Sequence, residues 1–213
     1  MKEANGNTKI NIKDNTINIE ELYLPKLIGG TKKQIEFAKK MRIDFINLYN
    51  KYATSGEGKS FEDAEALLYM LENKTTTMFY LNNCKYGIGD MLFDYIQLLR
   101  IKKVINESEE ELEGMSLKRL QKRKRLVLLA DEIIDNLDNV ELPKLTGSEK
   151  QVAWAEEIRR YLYEEYKDFI YTLKYKDDIK QSHEKMLNVL LNTDAKYYID
   201  NKNISMETLL NIV

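Results

Sequence analysis

A repeated block constrains this chain more than any other feature of its sequence. Residues 24–42 read LPKLIGGTKKQIEFAKKMR, and residues 142–159 read LPKLTGSEKQVAWAEEIR, with one residue inserted in the first copy. Lys33, Gln34, Ala38 and Arg42 match Lys150, Gln151, Ala155 and Arg159. Ile35, Phe37 and Met41 stand where the second copy has Val152, Trp154 and Ile158. A second block keeps the register: Met78-Phe79-Tyr80-Leu81-Asn82-Asn83 aligns with Lys196-Tyr197-Tyr198-Ile199-Asp200-Asn201. Two blocks at nearly equal separation point to duplication, and a duplicated chain is expected to build one supersecondary unit twice.

Each copy opens with chemical signals for a helix. Thr31-Lys32-Lys33-Gln34 and Ser148-Glu149-Lys150-Gln151 fit a capping box, in which hydroxyl and glutamine reciprocally satisfy orphan amides. Gly29-Gly30 and Gly147 let the chain turn in, and the preceding Leu-Pro favours extended backbone. Ile35, Ala38, Met41, Phe45, Leu48 and Tyr52 then share one helical stripe, as do Val152, Ala155, Ile158, Leu162, Tyr166 and Phe169. Second helices are predicted from Phe61 to near Glu72, and from near Ile179 to Leu191. The aromatic blocks form a short third element, with Thr75 or Thr76 and Thr193 or Asp194 as N-caps. Apolar stretches at Met91–Leu99 and Met206–Val213 close the two copies. Each copy therefore reads as a small helical bundle.

Two segments lie outside the repeat. Lys9–Lys13 and Thr16–Glu20 alternate polar and apolar residues around Asp14-Asn15, the pattern of a β-hairpin with one apolar face. A lone hairpin is marginal in water, so this one is expected to dock on the helical body. Between the copies, Glu107–Glu113 is acidic, and Ser116 opens a helix predicted to reach Leu137. Its first half carries Lys118, Arg119, Lys122, Arg123, Lys124 and Arg125, and its second half is apolar on more than one face. The predicted fold is mainly α: an N-terminal β-hairpin (1–20), two repeated helical bundles (21–100 and 141–213) and a charged helical connector (101–140) joining them.

Composition narrows the function. The 213 residues carry a formal net charge of -2, unlike a strongly basic nucleic-acid coat or an acidic tail. One Cys excludes an intramolecular disulfide, and no apolar run approaches a membrane span, so a cytoplasmic protein is expected. One His and one Cys leave no multi-His or multi-Cys metal site within a chain. No metal or other cofactor is called for. The string Ala53-Thr54-Ser55-Gly56-Glu57-Gly58-Lys59-Ser60 loosely fits a phosphate loop. A long amphipathic helix precedes it in place of a buried strand, so it reads as a loop with Ser60 capping the next helix. His183, predicted near a helix start, and Cys84 show no local sign of a catalytic dyad. Arg42 and Arg159 are expected to pair with the polar end of the aromatic block, at Asn82 and Asp200. The Phe37-to-Trp154 exchange suggests a packing position. No catalytic set emerges, and the chain is not expected to be an enzyme.

Two features suit binding. The cations at 118–125 could grip phosphates or an acidic protein surface, although the adjacent Glu run balances them. Fourteen tyrosines include Tyr161, Tyr171 and Tyr175 in one crowded segment, where tyrosine can anchor an interface or half-bury in a helix face. The candidate partner-binding set is Lys118, Arg119, Lys122, Arg123, Lys124, Arg125, Tyr161, Tyr171 and Tyr175.

The string LTGSEKQVAWAEEIR, with DAKYYIDN downstream, resembles a module in small proteins of bacteriophages, plasmids and other mobile elements. Those carry a similar LxGSxKQxxWAxxIR block and an aromatic-Ile-Asp-Asn block. The match is good over 142–201 and degenerate over 24–83. The resemblance implies a mobile-element origin and no particular activity. Proteins of that origin often bind and block a host defence component, including CRISPR effectors. A non-enzymatic inhibitor acting by steric occlusion is therefore the leading expectation, and a nucleic-acid-binding accessory protein the alternative.

Overall fold

The structure, a computed structural model, describes residues 10–11, 16–18, 22–55, 61–83, 88–103 and 117–213. It is mainly helical, and the chain divides into two compact units, Met1–Gln97 and Leu98–Val213. The hairpin turn at Asp14-Asn15, the residues Gly56–Ser60 of the phosphate-loop string, Cys84 and the Glu107–Glu113 run lie outside the described residues.

In the first unit, β1 (Ile10–Asn11) pairs antiparallel with β2 (Thr16–Ile17), placing Ile10 opposite Ile17. Three helices follow, α1 (Lys32–Thr54), α2 (Phe61–Asn73) and α3 (Thr77–Asn83), and then α4 (Ile88–Lys103), whose residues from Leu98 belong to the second unit. Strand β2 lies on α1: Ile17 is buried, and the Asn50 side chain bonds both its N–H and its carbonyl at 2.8 Å. Helix α1 buries Ala38, Met41 and Phe45 of the stripe read from its spacing, but also Ile46 and Tyr49 outside it, while Ile35 and Leu48 are half-buried. Helix α2 buries Ala64, Ala66, Leu67, Leu68, Met70 and Leu71, which lie on several faces, as befits a central helix.

Arg42 is the polar pin of this unit. It is 3% exposed, and its Nε donates to the Tyr80 hydroxyl at 2.9 Å. Its two terminal nitrogens donate to the Pro25 carbonyl at 2.6 Å and the Lys74 carbonyl at 2.8 Å. One planar fork thus fastens the Leu-Pro entry, the α2–α3 turn and α3 onto α1. In the second unit Arg159 donates to the Pro143 carbonyl at 2.9 Å and to Glu156 at 2.6 Å, with its guanidinium 5.9 Å from the Tyr198 ring. The expected pairing with Asn82 and Asp200 is not what forms: the Arg42 donors go to Tyr80 and two carbonyls, those of Arg159 to Pro143 and Glu156, and Asp200 pairs with Lys196. Arg42 instead serves two carbonyls, groups that are costly to leave unpaired when buried, and Arg159 serves one carbonyl and a carboxylate.

The second unit holds α5 (Leu117–Asp138), α6 (Glu149–Phe169), a 3-10 turn (Ile170–Thr172), α7 (Lys176–Leu191), α8 (Ala195–Asp200) and α9 (Met206–Ile212). Its core joins Val127, Ala130, Ile133 and Leu137 of α5 to Ala155, Ile158, Leu162 and Tyr166 of α6. Ile179, Met186, Val189 and Leu190 of α7 complete it with Tyr198, Leu209 and Leu210. His183 falls inside α7 rather than near a helix start, and its buried Nδ1 has no hydrogen-bond partner among the described residues.

Matching positions make matching contacts within each unit. Both capping boxes form: the Thr31 and Ser148 N–H groups donate to Gln34 and Gln151 at 2.8 and 3.0 Å. Ile28 and Thr146 bridge to Thr76 and Asp194, which brings each glycine turn against the third element. Phe79 and Tyr80 meet edge-to-face with centroids 5.1 Å apart, and Tyr197 and Tyr198 do so at 5.4 Å. The Tyr80 hydroxyl donates to the carbonyl six residues earlier at 3.0 Å, whereas the Tyr198 hydroxyl lies 2.6 Å from the Val189 carbonyl and 3.1 Å from that of Asn192, six residues earlier. Phe37 and Trp154 are 43% and 42% exposed, so neither packs in a core as the exchange suggested. Lys202 reaches over the Trp154 ring at 5.3 Å.

The buried tyrosines make the second unit sensitive to alkali. Burial pushes the Tyr166 and Tyr198 hydroxyls from an ordinary 10.0 up to about 12. Below the unfolded value both states are protonated and the stabilisation is fully present. Between about pH 10 and 12 the unfolded chain loses protons first, so stability falls as pH rises. Unfolding midpoints for this unit should drop through that window, and Tyr166→Phe with Tyr198→Phe should flatten the slope. A wild-type midpoint unchanged across the window would refute the linkage.

Candidate functional site

Helix α5 is fastened by its acidic residues and presents its basic ones. The Tyr171 hydroxyl donates to Asp131, and the Lys102 ammonium lies 4.3 Å from the Tyr171 ring centroid. Desolvation lowers the Lys102 pKa, partly opposed by Asp168 and Asp131. Further along, Tyr163 donates to Asp138 at 2.9 Å, and Lys167 pairs with the same carboxylate at 2.7 Å. Burial, reinforced by Asp138, holds the Tyr163 hydroxyl well above the ordinary tyrosine range. These contacts clamp the second half of α5.

Toward its start, Arg119, Lys122 and Arg125 are exposed. Arg123 and Lys124 are half-buried, and burial lowers the Arg123 pKa. The side chain of Lys118 lies outside the described residues. Tyr171 is 5% exposed, so it is a core residue and not the surface contact its position suggested. Its ring is covered because the 3-10 turn packs it onto α5, where Asp131 satisfies its hydroxyl. Tyr161 is half-buried, whereas Tyr175 is 60% exposed.

Three of the predicted residues come together. Lys122, Arg125 and Tyr175 line a cleft of about 750 Å³ between α5 and the start of α7. Lys122 Nζ stands 5.0 Å from the Tyr175 ring centroid, a cation–π distance. The apolar lining is Leu126, Leu128 and Leu129, and Leu128 is 55% exposed. Gln121, Glu132, Lys176 and Asp177 complete it. This size and mixture of apolar surface with a few convergent polar groups suits a ligand site. Sequence reasoning missed Leu128, Lys176 and the carboxylates. Leu128 had a signal: it sits about 180° around the helix from the buried Ala130, Ile133 and Leu137 stripe, where a leucine has no core to join.

The remaining candidates separate. Helix α1 leads directly into the phosphate-loop string, which therefore lacks the preceding strand that a phosphate loop requires. Among the described residues no group of three His, Cys, Asp or Glu side chains gathers as a metal site would, and no helix is long and apolar enough to cross a membrane. Comparison with protein-family models, curated proteins and solved structures gave no match.

Proposed function

We propose that this chain is a non-enzymatic binding protein that acts by covering a partner's surface. One observation carries this reading: exposed Lys122, Arg125 and Tyr175 converge over leucines at a cleft on the second unit. Tyrosine and arginine at the edge of an apolar depression are the residues that most often dominate binding energy. We further propose that residues 21–100 and 141–213 are copies of one duplicated helical bundle, joined by the charged connector and preceded by a β-hairpin. The matched positions serve caps, turns and packing, which supports selection for a scaffold. From the mobile-element resemblance, the proposed partner is a host defence component such as a CRISPR effector, inhibited by occlusion in the cytoplasm of a bacterial host.

The test is recovery of a stable complex with a purified defence nuclease, together with protection of phage in a defended strain. No complex and no protection would overturn the reading. The second reading, nucleic-acid binding, draws on the exposed Arg119, Lys122 and Arg125 along one helix. It predicts affinity for DNA or RNA that falls steeply with salt. Charge reversal at Lys118, Arg119, Lys122, Arg123 and Arg125 should abolish that affinity. Absence of binding in low salt would remove this alternative.

A further inference from the structure

We propose that the cleft between α5 and the start of α7 is a docking site for a short acidic peptide segment of a protein partner, with an apolar side chain seated on its leucines. This deepens the binding-protein reading and rests on it.

The electrostatics come first. Among the described residues no ion pair holds Lys122, Arg125 or Lys176. Among the described residues Lys122 is engaged by the face of the Tyr175 ring. Among the described residues these three cations therefore stand around one depression without direct ion pairing, beside Glu132 and Asp177. A carboxylate can meet them with charge-assisted hydrogen bonds, and Arg125 can offer a bidentate pair. Exposed pairs of this kind add modest affinity but set orientation and accelerate encounter.

The floor and far rim then choose between acidic partners. Leu128 and Tyr175 are the exposed apolar groups here, at 55% and 60%. An apolar side chain entering the cleft would cover both, whereas a phosphodiester would bring charge over leucine and gain nothing from it. Glu132 and Asp177 line the same cleft and repel a glutamate as well as a phosphate, but they can accept N–H groups that a peptide backbone offers and a phosphodiester backbone lacks. Lys122 and Glu132 are separated by ten helical steps, a span of about 15 Å. An extended peptide of roughly four or five residues covers that distance. A single exposed tyrosine also falls short of the successive aromatic platforms that single strands use.

The test uses the full chain and fluorescence anisotropy. The probe is a fluorescein-labelled peptide with a Leu-Phe pair flanked by glutamates. Controls replace the glutamates with lysine, or the Leu-Phe pair with serines. Saturable, salt-weakened binding of the first peptide alone is the expected result. Lys122→Glu with Arg125→Glu, and separately Leu128→Ser, should each weaken it by about tenfold or more. These side chains are exposed, and helix content by circular dichroism will verify the fold of each variant. Absence of saturable binding, or affinity untouched by either variant, would overturn the proposal. So would a single-stranded oligonucleotide that binds through the same cations while the peptide does not. If a defence nuclease is captured equally by wild type and by the cleft variants, the docking site fails while the binding-protein reading stands.

Discussion

Replacing Arg42 with methionine should cost the first unit about 3 kcal/mol or more, a large share of the stability of a small domain. Methionine fills similar volume but offers no donors. The Pro25 carbonyl then loses its 2.6 Å bond, and the Tyr80 hydroxyl loses the donor at 2.9 Å. The Lys74 carbonyl suffers less, since Tyr80 still donates to it at 3.0 Å. Arg42→Lys should fall in between, because one ammonium cannot reproduce a fork that reaches three partners. Urea denaturation, with hydrogen exchange followed in α1 and α3, will measure the loss. A cost under about 1 kcal/mol, the net value of an ordinary hydrogen bond, would show that water replaces the guanidinium. Arg159→Met should cost the second unit less, because Glu156 is partly exposed and can be solvated when its partner leaves.

Gly30→Ala should destabilise the first unit by about 2–3 kcal/mol, combining left-handed backbone strain with a steric clash. Gly30 has φ +79°, and a Cβ there would stand 2.9 Å from Thr77 Cγ2 and 3.3 Å from Gln34 Cβ. Thr77 cannot simply withdraw, since it is buried and its hydroxyl donates to the Gly29 carbonyl at 2.8 Å. Thr77→Ser keeps that donor and deletes the methyl. In the Gly30→Ala background it should recover the steric part and leave the backbone strain, a coupling that a double-mutant cycle isolates. Additive effects of the two substitutions would place the whole cost in the backbone. Gly147 occupies the corresponding turn, where an added Cβ would meet the Ala195 Cβ at 3.1 Å.

The parts of this fold that could be read in advance are those encoded within a few residues. A capping box needs only a hydroxyl and a glutamine three positions apart, so Ser148 and Gln151 announce the start of α6 before any packing is known. Helical period alone assigns Ala155, Ile158 and Leu162 to a buried face. Tyr171 and Tyr175 show where that reasoning ends. They sit four residues apart and look alike in sequence. The 3-10 turn buries one against Asp131, while the other, at the N-cap of α7, is left open to solvent beside Lys122.

The sequence by itself determined the helical class, the capped starts of α1 and α6, part of their buried stripes and a basic run on one helix. Those follow from local spacing, because capping and amphipathic period act within one or two turns. Tertiary structure alone decided which carbonyls Arg42 serves, which tyrosines are buried, and that Lys122, Arg125 and Tyr175 share one cleft. Arg42 and Lys74 are 32 residues apart, and Tyr171 and Asp131 are 40 apart. No periodicity spans such separations. These contacts exist because packed helices bring distant polar groups together and exclude the water that would otherwise pair with them.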